Sequence, residues 1–118
     1  MILWPENVPV YLHRDAVDFR KQINGLSVLV QEAMALSPFE AGLFVFCNKQ
    51  RNQLKVLYWD ATGFALWQKR LEKDKFKWPR RHGDEVIALG HEQWSWLLRG
   101  FDISQIQPHK TLFFDALS

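Results

Sequence analysis

The sequence predicts an α+β domain: an antiparallel sheet of three to five strands, packed with an N-terminal helical arm and a short C-terminal helix. Three observations lead there. Between Phe19 and Met34 apolar residues recur at helical spacing. From Leu43 to Leu71 the period becomes two, with connectors of hairpin length. A second short helical run, Gln93 to Arg99, follows near the end. At 118 residues the chain fits one domain, 1–118, and its tail, 103–118, has no clear period.

Each element has a local reason. Val8 to Leu12 reads as a short strand, and Pro9 suits an edge or a strand start because it cannot donate to a ladder. Asp15 is placed to cap a helix, with Asp18 in its first turn, where negative charge is favoured. Phe19, Ile23, Leu26, Val30 and Met34 then share one helix face. Asn24-Gly25 predicts a bend or a junction of two short helices, since Gly costs about 1 kcal/mol against Ala there. Ser37-Pro38 ends the helix, because the residue before Pro avoids helical backbone.

Leu43 to Cys47 is apolar on both alternating faces, as a central strand would be. Asn48 to Asn52 is a polar connector. Leu54 to Trp59 returns as a strand, with Leu54, Val56 and Tyr58 on one face and Lys55, Leu57 and Trp59 on the other. Asp60 to Gly63 makes a turn, with Gly63 free to take positive φ, and Phe64 to Leu71 is the third strand of the meander. Lys75 to Trp78 alternates strictly and predicts a further strand, stopped by Pro79. Glu85 to Leu89 is another short strand. Trp94, Leu97 and Leu98 mark the last helix, and Gly100 fits its C-terminal cap.

Composition removes several classes of function. One Cys cannot form an intrachain disulfide. The longest apolar run, Leu43 to Cys47, is far shorter than the roughly 18 residues of a membrane span. The first residues, Met1 to Glu6, lack the basic and apolar regions of a signal peptide. A reducing, cytoplasmic location is expected. No glycine-rich phosphate loop is present, and His13, His82, His91 and His109 lack metal-site spacing, so no cofactor and no metal are expected. Cys47, inside an apolar strand, reads as a small buried hydrophobe. Asp60 reads as a turn residue. No catalytic residue is assigned, and an enzyme is not expected.

Charge is the strongest local signal. The net charge is +2, yet Lys49 to Arg81 holds ten Lys/Arg against three Asp/Glu, and the remainder is acidic. Lys69 to Arg81 alone has seven basic and two acidic residues. On a strand, Lys75 and Lys77 would share one face and Phe76 and Trp78 the other. Same-face residues lie about 6.7 Å apart, roughly twice the ~3.4 Å charge spacing along one DNA strand. Cations interleaved with aromatics suit a surface that tracks phosphates and stacks bases. Lys69, Arg70, Lys73, Lys75, Lys77, Arg80 and Arg81 are the candidate phosphate contacts, and Trp78 the candidate stacking residue. A second reading stays open: Phe76 and Trp78 belong to the core, and the lysine row is a solvated, aggregation-resistant edge. Trp59 and Trp67 read as core. Trp94 and Trp96, two apart on a helix, must divide between a buried and a partly exposed position.

Several blocks then resemble, in order, the TnpB-type accessory proteins of the insertion-sequence-66 family of bacterial transposable elements. They are Asp18 to Leu26, Phe44 to Lys49, Leu54 to Asp60, Gly63 to Glu72, Phe76 to Pro79 and Leu97 to Asp102. The resemblance covers roughly residues 4 to 103, and Phe19 stands where the family often has Met. It implies a protein encoded beside a separate, longer, metal-dependent transposase and needed for movement of the element. The implied partners are that transposase and the element's other accessory protein. The basic stretch makes nucleic acid an expected partner, which the resemblance narrows to DNA at the element ends, with no membrane and no small-molecule substrate. A protein-docking module that touches no DNA is the alternative.

Overall fold

The computed structural model describes residues 7–103. A five-stranded sheet forms its centre, in the order β4-β3-β2-β1-β5. The strands are β1 (Val10–His13), β2 (Leu43–Cys47), β3 (Gln53–Asp60), β4 (Gly63–Arg70) and β5 (Val86–Leu89). The helices are α1 (Ile23–Glu32) and α2 (His91–Leu98).

The sheet is mixed, which corrects the antiparallel expectation. β2, β3 and β4 do form an antiparallel meander, with Phe44 opposite Leu57 and Val56 opposite Trp67. β1, however, runs parallel to β2, pairing Tyr11 with Phe44, and antiparallel to β5. Parallel neighbours require a crossover, and the chain through α1 supplies it on one face of the sheet. β1 is therefore internal. Pro9, just before it, gives its carbonyl to Leu43 N–H at 2.9 Å.

There is also no N-terminal helical arm. The helix begins at Ile23, not at Asp15, and lies against the sheet. The backbone that would have formed its first turns is otherwise engaged. Val17 N–H bonds the Cys47 carbonyl at 3.0 Å. Asp18 closes a tight turn by accepting from Arg20 N–H at 2.9 Å. The carbonyls of Phe19 and Lys21 accept from the Lys55 ammonium at 2.9 and 2.8 Å. No bend occurs at Asn24-Gly25. Gly25 instead clears space, because a Cβ there would sit 3.1 Å from the Lys21 side chain. The helix ends at Glu32, before Ser37-Pro38, and Ala35 takes positive φ (57°).

Strand alternation divides two cores. Phe44, Phe46 and Leu57 face α1, where Leu26, Val30 and Met34 meet them. Leu43, Val45, Cys47, Leu54, Val56 and Tyr58 face the opposite side. Residues 71–85 cover that opposite side as a strap, together with α2. The strap starts at β4, on one edge of the sheet, and ends at β5, on the other. It is not a strand at Lys75 to Trp78, contrary to the alternation. It lies over the sheet and anchors at single points: Leu71 N–H to the Asn52 carbonyl (2.8 Å), Phe76 N–H to the Arg51 carbonyl (2.7 Å) and Trp78 Nε1 to the Arg14 carbonyl (2.9 Å). Pro79 and the crossing direction deny it a ladder partner.

The β3–β4 turn differs in one detail: Ala61, not Gly63, takes positive φ (52°). α2 ends as expected. Gly100 has φ +91°, its N–H bonds Leu97 O (3.1 Å), and Phe101 N–H bonds Trp96 O (3.0 Å), a Schellman closure. Trp94 is buried and Trp96 half-buried, dividing as the helix geometry requires. The tail expectation lies outside the described residues apart from Ile103, which is buried in the second core.

Candidate nucleic-acid interface

The C-terminal ends of β1, β2 and β4 and the starts of β3 and β5 all lie at one end of the sheet, because of the pairing directions. The β2–β3 turn (48–52) and the strap meet there. Asn48 builds the turn. Its buried side-chain oxygen accepts from Asn52 and Gln53 N–H, both at 3.0 Å, and its Nδ2 donates to Asn52 Oδ1 at 2.7 Å. The closed turn holds Arg51 at φ +61°, a conformation costly for a side chain with a Cβ.

The strap delivers the charge. Its alternation turns Phe76 (1% exposed) and Trp78 (7% exposed) into the core, while Lys75 and Lys77 are exposed. Lys73, Arg80 and Arg81 are exposed as well. Among the described residues the ion pairs involve Arg14, Arg20, Arg70 and His82, so these five cations are unpaired there. The 80–83 stretch is fastened by Arg14, whose Nη1 donates to the His82 carbonyl at 3.0 Å and to the Gly83 carbonyl at 3.4 Å.

Three predicted site residues have other surroundings. Trp78 is buried, with its indole N–H committed to Arg14 O, so its ring faces cannot stack on a base. Lys69 is half-buried and donates to the Leu98 carbonyl at 3.2 Å, where it satisfies the C-terminal end of α2. Arg70 is exposed but pairs with Glu72 at 3.0 Å. Lys55, counted in the basic stretch, is 2% exposed and serves the chain before α1, with its ammonium also 5.0 Å from the Phe19 ring centre. Burial lowers its pKa from the ordinary 10.5.

Arg51, outside the run that the sequence marks, joins the surface. It lines an open cleft of about 450 Å³ with Lys77, Arg80, Arg81 and His82. Phe76, Trp78 and Pro79 supply the apolar part of that lining, and Asp102 a carboxylate. The only hint in the sequence was that the 48–52 connector carries Lys49 and Arg51.

Other chemistry-bearing groups are elsewhere engaged. Burial pushes the Cys47 thiol up to about 12, which leaves it protonated at neutral pH. His13 bonds the Asp15 carbonyl at 2.7 Å and lies over Phe46. Among the described residues no three His, Cys, Asp or Glu gather as a metal would need, and no helix is long and apolar enough to cross a membrane.

At the far end of the sheet, Phe39, Trp59 and Phe64 form a ring cluster with centroids 5.0 to 5.3 Å apart. Phe39 is 56% exposed.

A family model described as IS66 Orf2 like protein matches residues 8–108. Two uncharacterized proteins of Sinorhizobium fredii are similar. One, y4hO, is 37% identical over 97 residues, covering 82% of this chain and 84% of its own. The other, y4jC, is 36% identical over 91 residues, covering 77% of each. No solved structure matches. The chain belongs to the IS66 Orf2-like family and is an accessory protein associated with an insertion sequence.

Proposed function

We propose that this family member is a non-catalytic factor that assists the transposase in the cytoplasm by gripping nucleic acid at the element ends. The observation that carries the reading is the exposure of Lys73, Lys75, Lys77, Arg80 and Arg81, without ion pairs among the described residues, with Lys77, Arg80 and Arg81 lining one cleft with Arg51. Exposed cations close together attract a phosphate backbone and release its counterions. The backbone that carries them is already held, because the alternate residues Phe76 and Trp78 pack into the core. The strap's own aromatic residues, Phe76 and Trp78, are buried and offer no stacking face, so among the strap residues the grip is on phosphates.

The test is a titration of duplex DNA at several salt concentrations. About five phosphate contacts give a slope near −4.5 for log affinity against log salt. Binding that ignores salt, or no binding of either duplex or single-stranded DNA at low salt, removes the reading.

The ring cluster of Phe39, Trp59 and Phe64 supports a second one, docking on the transposase or on the element's other accessory protein. Co-purification that survives high salt and nuclease, and is lost in Phe39→Ser, would favour it.

A further inference from the structure

The cleft beside Arg51 differs from the rest of the cationic surface in being concave. Its volume, about 450 Å³, falls among small-molecule sites, roughly 300–1,000 Å³, and is larger than a phosphate group alone requires. Its cations come from two separate parts of the chain, Arg51 from the β2–β3 turn and Lys77, Arg80 and Arg81 from the strap. Both parts are fixed. Phe76 N–H bonds Arg51 O at 2.7 Å, Trp78 Nε1 bonds Arg14 O, and Arg14 bonds the 82–83 carbonyls. Arg51 itself keeps a backbone conformation that glycine adopts without cost, so the turn tolerates strain to present a guanidinium there. The apolar lining from Phe76, Trp78 and Pro79 strengthens charge interactions by excluding water from one side.

We infer that this cleft receives one nucleotide of an unpaired strand, with its phosphate held by Arg51 together with Lys77, Arg80 and Arg81. The inference rests on the nucleic-acid reading above and narrows it. A duplex keeps its nucleotides stacked and paired, so it meets the cleft with backbone only. A single strand can turn a whole nucleotide inward. The guanidinium of Arg51 supplies a planar fork matched to phosphate oxygens. Among the described residues of the lining, four cations stand against one carboxylate, Asp102.

The test compares binding of a labelled eight-nucleotide single strand and of the duplex of the same sequence, by anisotropy at low salt. Arg51→Gly is the informative variant, because φ +61° suits glycine and the fold is retained, as a thermal melt will verify. It should weaken single-strand binding about tenfold and duplex binding by less than about threefold. Adenosine 5′-monophosphate should displace the wild-type single strand, and adenosine should not. Equal loss for both DNA forms, or no loss for either, overturns the single-strand site. If Lys75→Glu with Lys77→Glu still weakens duplex binding and flattens its salt dependence in that event, the broader reading stands. Failure of both DNA forms to bind wild-type protein removes both.

Discussion

The two faces of the sheet are covered by segments of opposite character. α1 satisfies its own backbone hydrogen bonds, buries Leu26 and Val30 and, from Ile23 to Glu32, carries no cation. The strap has no ladder and holds on through isolated bonds and two large aromatic side chains, while its other side carries lysine and arginine. Alternation thus does two jobs at once in the strap. Every residue that anchors it to the core places a neighbour in solvent. A helical cover divides core from solvent by a stripe; an extended cover divides them residue by residue, which concentrates charge along a line.

If the strap depends on its aromatic anchors, removing one should cause the largest effect. Phe76→Ala or Trp78→Ala should destabilise the domain by about 3–5 kcal/mol, the cost of a large cavity, seen in chemical denaturation. A loss below about 1 kcal/mol would mean that the strap is not held by the core.

The α1 side has its own dependence, on a buried charge. Lys55→Met should cost about 1–3 kcal/mol, since the Phe19 and Lys21 carbonyls lose their donor. The pH response identifies the cause. Burial makes the folded ammonium release its proton more easily than the unfolded one. Between the lowered folded value and 10.5 the unfolded chain binds more protons, so this contribution to stability rises with pH across that window. Wild-type protein should gain on Lys55→Met there. A constant difference up to pH 11 would contradict the assignment.

Charge on the strap should separate binding from folding. Lys75→Glu with Lys77→Glu should leave stability within about 0.5 kcal/mol, because both side chains are exposed. The same change should flatten the salt dependence of DNA binding by about two phosphate contacts, a slope change near 2. Unaltered DNA affinity would move the interface elsewhere.

The smallest effect concerns the turn before α1. Arg20, through its side chain and backbone N–H, holds the Asp18 carboxyl down to about 2. Its contribution is present above 3.8, the ordinary value, and fades as pH falls through about 2. Asp18→Asn should remove that acid response, measured by the carboxyl's NMR titration and by melting at pH 2 to 5.

Much of the sheet was legible in the sequence because the pattern was local. Leu43 to Cys47 is apolar on both faces, and the structure covers it on both. The β3–β4 hairpin follows from period two and a short turn. The direction of β1 was not legible, since four residues carry no mark of which neighbour they pair with. The start of α1 was hidden for another reason: Lys55, some 34 residues from Lys21 in the chain, claims the carbonyls that set it. In the interface, the strap's cations were visible as a run. Lys69 and Trp78 left that set through contacts with Leu98 and Arg14, which no spacing rule encodes, and Arg51 entered it through the fold of the 48–52 turn.

Mapping bound DNA onto the protein by amide chemical shifts would test the contrast between the two covers most directly. Perturbations should cluster at residues 49–52 and 73–82 and spare α1 and the ring cluster at Trp59 and Phe64. Shifts centred on α1 or on that cluster, with the strap unmoved, would contradict a cationic grip on nucleic acid.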